Sequence, residues 1–153
     1  SQAGPTGTRL VEAVIEGAPA SADALALMFG SLCDLPRVFA ALADAGFVPT
    51  EISMESIPFT AQENRPETLL RLRTLRSEGR AWFCDLEGDE AGHAQVVFGM
   101  LVERRSESVR ERCDDALGMV LSLLDDYTYC GPDALPGASL HLSFEEPVYS
   151  ASA

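Results

Sequence analysis

The apolar positions along the chain fall into two rhythms, and the clearest is helical. Between Ser106 and Tyr127, Val109, Cys113, Ala116, Leu117, Val120, Leu121 and Leu124 recur at i, i+4, i+7 and i+8, the stripe of a helix buried along one face. Ser108 and Glu111 stand ahead of it at the S-x-x-E spacing of a capping box. The second rhythm is alternation. In Ser139–Pro147, Leu140, Leu142 and Phe144 alternate with His141, Ser143 and Glu145, which predicts a strand with one wet face. Phe47–Phe59 reads as a strand carried by Ile52 and Met54, with proline near each end. Arg80–Gly88 and Ala94–Glu103 are aromatic and β-branched and flank an acidic, glycine-containing loop, so they predict a hairpin.

Three segments carry less distinct patterns. Arg9–Gly17 has β-branched residues ahead of a Gly-Ala-Pro stop and reads as a first strand. From Ala20 the spacing of Leu25, Phe29 and Leu32 predicts a helix, with Ser21 as its N-cap. Asp34-Leu35-Pro36 breaks it and starts a second helix, with Val38, Phe39 and Leu42 as apolar face and Gly46 as stop. Glu67–Gly79 fits both rhythms. As a helix, Pro66 takes the first position and Leu69, Leu72 and Leu75 form a stripe. As a strand, Leu70 and Leu72 oppose Arg71 and Arg73, and this Leu-Arg alternation with two threonines favours the strand.

Helices separated by antiparallel strands place the chain in the α+β class. The expected architecture is a two-layer sandwich, a mostly antiparallel sheet of about 5–6 strands with helices on one face. A ferredoxin-like variant is its most specific form. A single domain is expected over residues 9–147, with a disordered end at 1–8 and a frayed tail at 148–153.

Charge narrows the partners. The 153 residues carry 24 acids against 11 basic residues, a net charge of −13. Such a surface repels phosphate backbones and anionic lipid, so nucleic acid and membrane are not the expected partners. It suits another protein with a basic surface, and a homodimer is compatible with it. Every basic residue is arginine, which excludes Schiff-base chemistry and lysine general bases. No stretch approaches the ~18 apolar residues of a membrane span, and no signal-peptide pattern is present. Cys33, Cys84, Cys113 and Cys130 show no C-x-x-C spacing and read as reduced, mostly buried thiols of a cytoplasmic protein.

The densest chemistry is CDLEGDEAGH, Cys84–His93. Its acids do not follow a calcium-loop spacing, and Cys84 and His93 fall on opposite arms of the predicted hairpin, so a metal site is not expected. Period-2 geometry turns Cys84 towards the core with Trp82. What remains is a cluster of carboxylates, Asp85, Glu87, Asp89 and Glu90, at the hairpin tip. No G-x-S-x-G, H-E-x-x-H or glycine-rich phosphate loop occurs, so neither a catalytic residue nor a cofactor is assigned.

In general character, small, acidic and without a catalytic motif, the chain is similar to bacterial immunity proteins that plug basic toxin enzymes, and to acidic secretion chaperones. The likeness is one of composition. It implies a non-enzymatic inhibitor that occludes a basic partner with Asp85, Glu87, Asp89 and Glu90. The alternative from the residues alone is a small-molecule or anion pocket lined by Arg71, Arg73 and His141.

Overall fold

The computed structural model describes residues 7–88, 92–135 and 139–144. Of the expected ends at 1–8 and 148–153, residues 1–6 and 148–153 lie outside them, whereas Thr8 is buried at the start of the first helix. The chain runs α1 (Thr8–Glu16), β1 (Ala24–Gly30), α2 (Leu35–Ala45), β2 (Phe47–Pro58), α3 (Pro66–Ser77), β3 (Cys84–Asp85), β4 (His93–Arg104), α4 (Val109–Cys130), a 3-10 turn at Gly131–Ala134, and β5 (Ser139–Ser143). The five strands form one antiparallel sheet in the order β1-β4-β2-β5, and β3 pairs with the start of β4. This is the expected α+β sandwich.

The ferredoxin-like element is partial. In β1-α2-β2, β4 inserts between the two parallel strands; in β4-α4-β5, β2 does the same. The last strand therefore joins the β2 edge rather than the β1 edge. Both crossings run the same way across the sheet, from strands of opposite direction, with their helices packed together in one core. The two crossovers accordingly have opposite hands, against the usual right-handed preference.

Three elements differ from the sequence expectation. Arg9–Gly17 is not a strand: α1 begins at Thr8, and it buries Thr8, Val11 and Ile15, a spacing of three and four that a strand would place on both faces. Ala24–Gly30 is not a helix: Leu25, Leu27 and Phe29 turn inward and Ala24, Ala26 and Met28 outward, so the period is two. Glu67–Gly79 is not a strand: α3 starts at Pro66 and buries only Leu72 fully. The capping box also fails to form, because Ser108 adopts a left-handed backbone (φ 54°) and its side chain caps nothing. The expected hairpin strand Arg80–Gly88 is reduced to two paired residues. Ala81–Phe83 is held elsewhere, through Trp82 to Ser31.

Around these, local signals and packing agree. The Asp34 side chain accepts from the Arg37 amide at the start of α2. Gly46 ends that helix at φ 83°, a conformation costly for a residue with a Cβ. α2 and α4 cover one face of the sheet, with α1 against α2, where Arg37 Nε lies 2.6 Å from Glu12 Oε1. Phe47, Ile52, Met54, Val96, Phe98, Leu124 and Tyr127 fill the core between them. The Tyr127 hydroxyl lies 2.7 Å from Ser56 Oγ, tying α4 to β2. α3 builds a smaller second cluster, in which Leu72 meets Leu32, Phe59 and Phe83.

Candidate binding surfaces

The hairpin tip is positioned by a short ladder. Cys84 pairs with Ala94 and Asp85 with His93. Cys84 is buried beside Tyr127, as the alternation implied, while Asp85 stays exposed. Asp85 Oδ1 lies 2.8 Å from His93 Nδ1 and 3.7 Å from an Arg76 nitrogen, so this acid of the tip is engaged. Glu87 is exposed and forms no ion pair with a described residue; Asp89 and Glu90 lie outside the described residues. Among the described residues no cluster of three or more His, Cys, Asp or Glu could hold a metal ion.

The arginine and histidine of the pocket alternative are distributed over separate places. Arg71 and Arg73 are exposed on α3, and only Arg73 borders the cleft beside α4. His141 lies on the opposite face of the sheet, which no described helix covers, 3.7 Å from Glu51, around a shallow hollow of about 280 Å³. That face grades from apolar to polar: Met28 pairs with Gly99, Gly99 with Ser53, and Ser53 with His141. A Cβ at Gly99 would stand 2.7 Å from Ser53 Oγ, so a side chain there would force the Ser53 hydroxyl to turn away.

A second surface was not visible as a site in the sequence. Leu140 and Leu142 point from β5 towards α4, but β5 is the edge strand and no helix among the described residues lies beyond it. They leave an apolar groove of about 570 Å³ with Met119 and Leu123, bordered by Asp115 and Ser122. Met119 is 50% exposed. By helical spacing Glu111, Asp115, Met119, Ser122 and Asp126 form one line along α4. Glu111, Asp114, Asp115, Asp125 and Asp126 form no ion pair with any described residue.

No protein-family model, curated protein or solved structure matches this chain. Its surfaces therefore stand on their own chemistry. The third is a cleft of about 610 Å³ between α3 and the end of α4, with Arg73 and Arg76 on one wall, Asp125 and Tyr129 on the other, and Trp82 between them. Arg76 is already occupied: its guanidinium stacks 3.9 Å over the Phe83 ring and donates to the Phe83 carbonyl.

The thiols offer little reactivity inside the fold. Cys33, Cys84 and Cys113 are buried, and burial pushes all three thiols up, Cys113 to about 11. The Tyr127 hydroxyl is pushed up by the same desolvation. All four groups are thus held in their neutral forms, the opposite of an activated nucleophile. Cys130 is the exposed cysteine. No helix among the described residues is long and apolar enough to cross a membrane.

Proposed function

We propose that this chain is a non-enzymatic binding module that captures a basic, amphipathic segment of another protein in the groove between α4 and β5. The observation that carries the reading is the pairing of an apolar strip that no described residue covers, Met119, Leu123, Leu140 and Leu142, with a line of carboxylates that meet no cation among the described residues. Apolar side chains of the segment would fill the strip, and its Lys or Arg residues would meet Glu111, Asp115 and Asp126. The net charge of −13 adds long-range steering to the same partner. Occlusion of a basic toxin or enzyme, and escort of a basic secreted protein, are two uses of one such surface. The hairpin-tip acids Asp85 and Glu87 would extend the contact of an occluding inhibitor. Buried reduced thiols suit a cytoplasmic setting.

The experiment is a binding titration with a labelled amphipathic helical peptide of alternating Leu and Lys faces, repeated from low to high salt. Binding should weaken as salt rises, and Asp115→Arg with Asp126→Arg should weaken it at low salt. Leu123→Asp should weaken it at every salt concentration. Affinity indifferent to salt and to all three substitutions would sink the reading.

A further inference from the structure

The cleft between α3 and α4 holds opposite charges that do not neutralise each other. Arg73 and Asp125 both line it, yet neither forms an ion pair with a described residue. Their neighbours are engaged: Arg76 with Phe83 and Asp85, and Asp85 with His93. One cation and one anion are left facing a shared space.

The rest of the cleft is equally specific. Trp82 is only 6% exposed and borders the cleft, and its indole N–H donates to no described residue. The ring is buried, but its N–H is not sealed off, so it is open to solvent and to an acceptor on a ligand. Tyr129, 89% exposed, stands at the opposite wall, an aromatic ring available to close over a ligand. The volume, about 610 Å³, falls within the range of small-molecule pockets, roughly 300–1,000 Å³.

A simple anion would meet Arg73 but be opposed by Asp125, Asp85 and the acidic field of the whole chain. A simple cation would meet Asp125 but be opposed by Arg73 and Arg76. A molecule carrying both charges satisfies both walls. We propose that this cleft binds a small zwitterion of the α-amino-acid class, its carboxylate on Arg73 and the Trp82 N–H, its ammonium on Asp125, and its side chain between Trp82 and Tyr129. The site is independent of the α4–β5 groove, which uses another face of α4.

Trp82 is the only tryptophan, so its fluorescence reports directly from the cleft. The full chain is titrated with each of the twenty standard L-amino acids, using calorimetry for tryptophan and tyrosine, and with inorganic phosphate. For each amino acid that binds, the N-acetyl form and the decarboxylated amine are titrated as well. At least one free amino acid should give saturable binding. Removing either charge of the ligand, or making Arg73→Gln or Asp125→Asn, should weaken it about tenfold or more. Both variants alter exposed side chains and should keep the parent's unfolding curve. The proposal is overturned if no amino acid binds saturably. It is equally overturned if phosphate or the N-acetyl form binds as tightly as the zwitterion, or if the two variants bind like the parent.

Discussion

The Ser31 hydroxyl donates a 2.6 Å hydrogen bond to the Trp82 carbonyl while accepting from the Val96 amide at 2.9 Å. The Ser31 backbone repeats both connections, its amide to Val96 and its carbonyl to Trp82. One fully buried serine thus splices the segment carrying Trp82 onto the sheet. Ser31→Ala leaves a buried carbonyl and a buried amide without that partner, and should cost about 1–3 kcal/mol of stability. Urea unfolding followed by tryptophan fluorescence measures it. A midpoint unchanged from the parent would show that other groups satisfy these atoms.

α3 is attached through a small cluster around one fully buried leucine. Leu72→Ala removes that anchor, a change that costs about 2–5 kcal/mol in a core. Here the loss should appear locally. Amides of Glu67–Ser77 should exchange with solvent faster, while those of β4 and α4 keep their protection. Equal acceleration throughout the chain would show instead that α3 and the main core unfold as one unit.

Alkali should destabilise the fold before it reaches any arginine. Burial, reinforced by Asp114, raises the Cys113 thiol from 9.0 to about 11. Between these values the unfolded chain releases a proton that the folded chain keeps, so stability falls as pH rises through the window. The contribution of this thiol is about 2–3 kcal/mol. Cys113→Ala should make the decline between pH 9 and 11 shallower, as read from denaturant midpoints at successive pH values. A slope identical to the parent's would assign the decline to the other buried groups.

Thiol labelling should separate the cysteines by burial. Cys130 should react promptly with a thiol reagent in the native protein, and Cys33, Cys84 and Cys113 only once the fold opens. Prompt reaction at more than one site would contradict the buried placement of the other three.

The parts of the fold that the sequence revealed are those whose pattern had one interpretation. α2 carries its own start and stop in Asp34 and Gly46, and β4 and α4 are long enough for their period to dominate. The errors cluster where both periods fit. Leu25 and Phe29 are four apart, as in a helix, but Leu27 between them is also buried, which only alternation explains. In α3 the leucines divide, Leu72 buried and Leu70 68% exposed, so its apolar stripe is weak and the Leu-Arg alternation misleads.

The surfaces were less legible than the elements. Arg73, Trp82 and Asp125 are 52 residues apart at most along the chain, but they converge only once α3 is a helix beside the end of α4. Leu140 and Leu142 read as ordinary core positions. Their partial exposure follows from β5 being an edge strand, and strand order is a property of the whole sheet that no local window contains.

The interlocking of the two β-α-β units bears on how the molecule can be divided. β1 and β2 are joined by α2 but touch in the sheet only through β4, which lies in the other half of the sequence. β4 and β5 likewise need β2 between them. A cut in the turn at Gly79 therefore produces two pieces, each missing the central strand of its own sheet. Neither piece alone should show the circular dichroism of an ordered sheet, and mixing them should restore it together with the buried environment of Trp82. The protein is thus a natural candidate for a split reporter, whose signal depends on the two pieces finding each other.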